Sequence, residues 1–314
     1  MLFRSSKKLY LSWFDQLEIS DLSVIDDQKT KLVTAGNITV DYQILDLFSA
    51  GSINLDELIL NDLHLNMVYE QPDDSTRSLN LVRFISQLNQ FLSSGQTSSG
   101  KGTPIKIKSI KLSNGLIEIR DPLQKSDGSS FNPSDFSLNI NNAKFSDFEV
   151  RSDTIQLQAN QIKGQLNNNR MPVHQGKFLF RFCPKSLEFN DATIEIGEST
   201  LRNQFIFLFN NPADLGDFIS KVKMKINLKE SVVDPDDLKY FTGVSAAPKQ
   251  PINISGLVSG TVNNLHVKQF TAVIGQTSIH GDVMLDGLPV LDETFIQASV
   301  EHSKLHFNDL DFLI

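Results

Sequence analysis

The chain has one cysteine, Cys183, one tryptophan and four tyrosines in 314 residues. A lone cysteine excludes an intramolecular disulfide framework and carries no metal signature, so Cys183 reads as a packed residue. Positive charge is scarce too. The net charge of −8 argues against nucleic-acid binding, which needs clustered Lys and Arg to displace counterions from phosphate, and against charge-driven adhesion to an anionic membrane. No stretch reaches the roughly 18 apolar residues of a spanning helix, and Met1 to Leu11 lack the apolar centre of a signal peptide.

Catalytic and cofactor motifs are equally sparse. The chain contains no H-E-x-x-H, no G-x-G-x-x-G and no Walker A sequence. Among the six histidines, His302 and His306 share a strand face but stand about 13 Å apart at about 3.3 Å per residue, too far for one ion. Ser259, in Gly256-Leu-Val-Ser-Gly260, has glycine in the wrong place for a nucleophile elbow and reads as a turn serine. Asp234, Asp236 and Asp237 are explained by helix capping. Asn37 and Asn253 head glycosylation sequons that matter only in a eukaryotic secretory setting. The expectation is a non-enzyme without metal or cofactor.

What is abundant is phenylalanine, 22 residues of it, within a 40% hydrophobic and 21% charged composition that belongs to a folded protein. The apolar residues follow an eight-residue frame: apolar-x-apolar, two spare positions, apolar-x-apolar. Spacings of two, three and two fit no helix face. They fit a strand carrying a β-bulge, after which side chains resume on the original face.

The frame recurs at Leu17/Ile19/Leu22/Val24, Ile53/Leu55/Leu58/Leu60, Ile105/Ile107/Ile110/Leu112, Ala143/Phe145/Phe148/Val150, Leu187/Phe189/Ala192/Ile194, Leu265/Val267/Phe270/Ala272 and Leu305/Phe307/Leu310/Phe312. A weaker copy is Ile226/Leu228 then Ser231/Val233. The starts fall roughly every 36 to 44 residues, except for one longer step after Ile53, which marks a repeat architecture. Leucine-rich repeats share part of the frame, but their period is shorter and their Asn position is not kept.

In chain order, strands flank a turn at 26–28, and a helical turn is expected between Tyr42 and Ser49. An amphipathic helix inserted at 79–92 lengthens the long step: Leu81, Phe84, Ile85, Leu88, Phe91 and Leu92 share one face. A flexible Ser/Gly loop follows at 93–103. Short helices are predicted at Pro212 to Val222 and after Asp234, whose N-cap position, Pro235 and the stop at Gly243 define it. The rest is strand. The fold class expected is mostly β: an elongated, curved antiparallel sheet built from repeated strand modules across 1–314, with an open apolar groove and a few short helices.

Several segments then carry a family resemblance. Ile254-Ser-Gly-Leu-Val-Ser-Gly-Thr-Val-Asn-Asn-Leu265 is followed by Gly275-Gln-Thr-Ser278, Gly281-Asp282, Gly287-Leu-Pro289 and Thr294-Phe-Ile296. Leu17 to Ile59, with Asp26-Asp-Gln28 and Asp46-Leu-Phe48, and Asp234-Pro-Asp-Asp-Leu-Lys-Tyr-Phe241 add to it. Together they resemble the AsmA/TamB family, the translocation and assembly module proteins.

The resemblance implies a periplasmic β-groove, tied to the inner membrane by an anchor missing from this chain, that conducts phospholipid towards the outer membrane. It also implies a possible outer-membrane barrel partner of the TamA type. On that reading the chain is a fragment of a longer array. The groove-lining candidates are Leu55, Leu58, Leu60, Leu63, Ile110, Phe145, Phe148, Phe189, Ile194, Val267 and Phe270. Without an ATP motif, transfer would run down a gradient or on an external drive. The rival readings are a filled apolar core, a scaffold that templates client strands at a sheet edge, a closed adhesive sandwich or β-helix, and an enzyme.

Overall fold

The computed structural model describes residues 3–5, 8–12, 15–25, 29–43, 45, 51–70, 78–82, 103–123, 128–167, 170–243, 247–309 and 311. The expected turn at 26–28, most of the helical turn at 42–49, the inserted helix beyond residue 82 and the loop 93–102 lie outside the described residues. The fold is mostly β, one large sheet with few and short helices.

Strands β1 (Phe3–Ser5) and β2 (Lys8–Ser12) both pair with β3 (Gln16–Ile25), which pairs with β4 (Lys31–Asp41). The next row holds two strands end to end, β5 (Ile53–Asn61) and β6 (His64–Glu70), both flanked by β4 on one side and β8 (Ile105–Arg120) on the other. The two-residue β7 (Ser78–Leu79) adds to the end of β6.

From β8 onwards the chain is a plain antiparallel meander. Its strands are β9 (Phe136–Arg151), β10 (Thr154–Leu166), β11 (Met171–Cys183), β12 (Ser186–Ile196), β13 (Ser199–Leu208), β14 (Lys223–Val233), β15 (Ile252–Thr261), β16 (Asn264–Ile274), β17 (Thr277–Asp286) and β18 (Phe295–Lys304).

The sheet is not antiparallel throughout. β5 and β6 run parallel to β8, because the chain between Glu70 and Ile105 returns to the end from which β5 started, the long crossover that a parallel pair requires.

The bulges of the frame are visible in the backbone. Its fifth position is left-handed at Asp21, Asp147, Asp191, Glu230 and Gln269, with φ of 54°, 52°, 50°, 46° and 50°. From β12 to β18 every ladder slips register at this level, so the bulges form a line across the sheet. Each bulge bends its strand and adds twist.

Side chains on the neighbouring strand take up amides freed along this line. The Gln269 amide donates to Asp282 Oδ1 at 2.7 Å, that of Glu230 to Ser255 Oγ at 3.0 Å, and that of Arg202 to Ser231 Oγ at 2.9 Å.

Three frame copies behave otherwise. The copies at Ile53 and Ile105 contain no left-handed residue. Their left-handed positions, Asp62 and Asn114, fall just beyond the frame, and the ladder between the two copies simply omits Asp56 and Lys108 without a register slip. The copy at Leu305 is not a strand: Phe307–Asp309 is a 3-10 turn. The last strand carries its bulge at His302, φ 46°, between Val300 and Ser303. Ser259 likewise lies within β15, paired with Lys225 and His266, not in a turn.

The helix after Asp234 forms as predicted, over Pro235–Thr242. Asp234 caps it by accepting from the Asp236 amide at 2.9 Å, and Gly243 closes it at φ 72°. The segment expected as a helix from Pro212 splits into a 3-10 stretch, Pro212–Asp217, and one α turn, Phe218–Lys221.

Two packed clusters anchor the sheet. Leu112, Ile140 and Ala143 gather Leu60, Leu63, Ile117, Leu138, Phe145 and Ile162 around them. At one end of the strands, Leu166, Met171 and Tyr240 pack with Phe131, Phe136, Val173 and Ile196.

Candidate functional site

Alternation decides which side chains share a face, and the bulges keep that choice constant along each strand. One row of directly paired residues therefore runs Leu17, Val40, Leu58, Ile110, Phe145, Ala159, Phe178 across seven strand rows. A second runs Leu157, Phe180, Phe189, Phe205, Ile226, Val258, Val267, Val283, Ala298 from β10 to β18.

The rows join at Phe189, whose ring lies edge-on to Phe178 at 5.1 Å and to Phe180 at 5.5 Å. Along β11 the alternation is plain: Lys177, Leu179 and Arg181 are exposed, while Phe178, Phe180 and Phe182 are half-buried. Most of the two rows is half-buried, neither sealed in a core nor open to bulk water.

Among the described residues, Tyr69 and the 3-10 stretch after β13 bridge the apolar face. Tyr69 of β6 is 9% exposed, and its hydroxyl lies 3.5 Å from the Leu215 carbonyl in the 3-10 stretch after β13. On a flat sheet β6 and β13, six rows apart, would be separated by about 29 Å at about 4.8 Å per strand. Their meeting requires the sheet to curl and the 3-10 stretch to fold back over the apolar side. Asn80, at the start of the predicted inserted helix, is buried beside this seam, accepting from the Val68 amide at 3.0 Å.

Ten of the eleven predicted lining residues fall on this face in register, and Leu63, between β5 and β6, packs into the cluster around Leu112. Leu55 pairs with Ile107, which pairs with Phe148; Leu58 pairs with Ile110, which pairs with Phe145; and Leu60 pairs with Leu112. Ile194 stands between Gly176 and Leu201, and Val267 between Val258 and Val283. Phe270 pairs with Gly281 and stands so close to Gly256 that a Cβ there would meet it at 3.1 to 3.2 Å.

Ten of the eleven are half-buried and Ile110 is buried. Leu60, Leu63 and Phe145 belong to the packed cluster around Leu112, so at that point the face is filled by its own side chains. Sequence reasoning missed Val40, Leu157, Phe180 and Phe205. They sit on strands without the frame, but simple alternation opposite a frame strand marks them.

The opposite face is polar and ion-paired. Lys111 meets Glu57 at 2.7 Å and Lys108 meets Asp56 at 2.5 Å. The hydrogen bond from Lys111, aided by Ser109, holds the Glu57 carboxyl below its ordinary value against the upward push of burial. Across the parallel join, Glu118 accepts from Arg120 Nη2 at 2.7 Å and contacts His64 Nε2 at 2.5 Å. Burial pushes Glu118 up, but the bonds and charges of Arg120 and His64 outweigh it and leave the carboxyl below its ordinary value.

Where the strands of this region end, a cavity of about 340 Å³ opens between Glu118, Arg120, Asp135, Phe136, Arg170 and Tyr240. Arg170 lies over the Tyr240 ring at 4.9 Å. A larger cavity, about 580 Å³, lies near the last strands with Phe270, Thr271, His280, Asp282 and Glu301 in its walls.

No protein-family model, no curated protein and no solved structure matches this chain.

Proposed function

We propose that this chain is a segment of a lipid conduit, sheltering the acyl chains of phospholipids on its apolar face while head groups remain in water. The observation that carries the reading is the in-register apolar strip, mostly half-buried from β3 to β17, on a sheet that curls towards that side. An acyl chain moved from water to such a strip gains about 0.8 kcal/mol per buried CH₂. The strip is apolar from strand to strand, so a chain lying along it meets no polar barrier, even where Leu60, Leu63 and Phe145 fill the face around Leu112. The resemblance to the AsmA/TamB family supplies the setting: the periplasm, between an inner-membrane anchor and an outer-membrane partner.

The test is native mass spectrometry and lipid extraction on the chain purified from a Gram-negative host, with Leu58→Asp and Phe148→Asp beside it. Phospholipid that copurifies with the original chain and is lost from folded variants supports the conduit. Protein that is lipid-free and refuses added fluorescent phospholipid means that the strip is a filled core.

A second reading, a scaffold for outer-membrane protein assembly, is favoured by β18. Nearly all of this edge strand is exposed, with Phe295, Ile296 and Val300 at 61%, 58% and 54%. A sheet edge offers unpaired amides and carbonyls to a client strand. Prolines at outward-facing amides of β18 would abolish that activity and spare lipid binding.

A further inference from the structure

The cavity at the ends of β8 and β9 combines features that nothing in the apolar strip provides. It holds two guanidinium groups, Arg120 and Arg170, and two carboxylates, Glu118 and Asp135. Ile119 and Phe136, a directly paired couple at the end of the apolar face, also line it. They continue that face beyond Ile117 and Leu138, which are paired in the same ladder. Glu118 and Arg120 belong to the polar face and Ile119 and Phe136 to the apolar one, so the cavity lies at the strand ends, where a ligand reaches both faces. Its volume of about 340 Å³ is near the lower end for small-ligand sites, about 300 to 1,000 Å³.

The charged groups are held in place. Arg120 presents Nη2 to both oxygens of Glu118 at 2.7 Å, and His64 braces that carboxylate from β6 at 2.5 Å. Arg170 is stacked on Tyr240, whose hydroxyl accepts from Asn167 Nδ2 at 2.6 Å. A guanidinium carries five N–H donors in a fixed plane and suits phosphate oxygens. A purely anionic ligand would meet Glu118 and Asp135, and a purely cationic one would meet the arginines. A ligand with both signs satisfies the cavity.

We infer that this cavity binds the zwitterionic phosphate–ammonium head group of a phospholipid. The phosphate lies towards Arg120 and Arg170, the ammonium towards Asp135, and the acyl chains pass over Ile119 and Phe136 onto the apolar strip. The inference rests on the conduit reading and adds to it a point at which the head group is recognised.

The test compares four soluble probes on the whole chain by calorimetry: short-chain phosphatidylethanolamine, phosphatidylglycerol and diacylglycerol of the same acyl length, and tail-less glycerophosphoethanolamine. The expected result is phosphatidylethanolamine bound at least about tenfold tighter than the other two lipids, the worth of one charged hydrogen bond. Asp135→Asn should erase the advantage over phosphatidylglycerol, and Arg170→Gln the advantage over diacylglycerol; both should leave diacylglycerol binding unchanged, which also shows that the variants are folded. Arg170→Lys should restore part of the advantage over diacylglycerol.

Equal binding of the three lipids, or an Arg170→Gln variant that weakens all of them alike, overturns the head-group site and leaves the conduit standing. Binding of glycerophosphoethanolamine without any lipid overturns the lipid assignment, since the cavity then serves a soluble ligand. No binding of any probe overturns both.

Discussion

Asp237 accepts the Ser199 hydroxyl at 2.6 Å and the Glu198 amide at 2.9 Å, fastening the end helix to the β12–β13 turn. Asp309 does the same two repeat units later, accepting from the Gln276 and Thr277 amides at 2.8 and 3.0 Å in the β16–β17 turn. The hydroxyls correspond as well: Ser199 accepts from the Asp234 amide and Thr277 from the His306 amide, both at 2.9 Å. Both turns place a glycine at φ 57° just before, Gly197 and Gly275. Asp237 is therefore more than a capping residue of its own helix: it joins a turn to the segment two strands further on.

Replacing Asp237 by Ala should cost about 1–3 kcal/mol, because it leaves the Ser199 hydroxyl and the Glu198 amide without their acceptor at a buried site. Asp309→Ala should cost a similar amount. Gly197→Ala should be at least as damaging, since its Cβ would lie 2.2 Å from Asp237 Oδ1. Urea denaturation of the three variants checks this, and an unchanged midpoint for Asp237→Ala would show the clasp to be dispensable.

The bulge line makes a different prediction. Gln269 is held at φ 50°, where a β-branched side chain is strongly disfavoured. Gln269→Val should destabilise the protein by about 1–2 kcal/mol, whereas Gln269→Gly should be close to neutral because glycine enters the left-handed region freely. The pair of unfolding midpoints separates backbone strain from loss of the glutamine side chain.

Much of this was legible in the sequence, and the reason is the bulge. Two, three, two spacing keeps Leu187, Phe189, Ala192 and Ile194 on one face only if a residue is inserted at Asp191, so the pattern reports a backbone feature directly. The copy at Leu305 matched the same letters without being a strand. Phe307–Asp309 is a 3-10 turn whose Asp309 reaches back to β17, and a frame of four apolar positions cannot tell such a turn from a bulged strand. The parallel join of β5 and β6 to β8 was invisible because it depends on where a crossover returns, not on local spacing. Tyr69 meeting Leu215, and Arg120 sharing a cavity with Arg170, are consequences of curl and of strand ends meeting, and no local pattern encodes them.

Glu118 gives the pH dependence a sign. Its carboxyl is held below its ordinary value in the folded chain by Arg120 and His64, so it binds its proton more weakly folded than unfolded. The stability it contributes is fully present above the unfolded value, about 4.3, and is lost as pH falls through the lower folded value. The stability difference between the original chain and Glu118→Gln should thus be largest at neutral pH and shrink on acidification below about pH 4.5. A difference that grew on acidification would mean that burial prevails over the two partners.

The open strip and a filled core also differ in what a large-to-small change costs. Truncating a phenylalanine enclosed in a core costs about 3–5 kcal/mol, because transfer and cavity terms add. Phe189 touches Phe178, Phe180 and Phe207 along the sheet, but it is only half-buried, so part of its surface gains nothing from folding. Phe189→Ala should therefore cost about 1.5–2.5 kcal/mol, roughly half the core value, and should weaken phospholipid binding in the protein that remains folded. Ile110→Ala, at a site 7% exposed, should cost about 2–5 kcal/mol as a core change does. If Phe189→Ala proved as damaging as Ile110→Ala and left lipid binding intact, the ring would be structural packing, and the strip would have to be read as the interior of a closed fold.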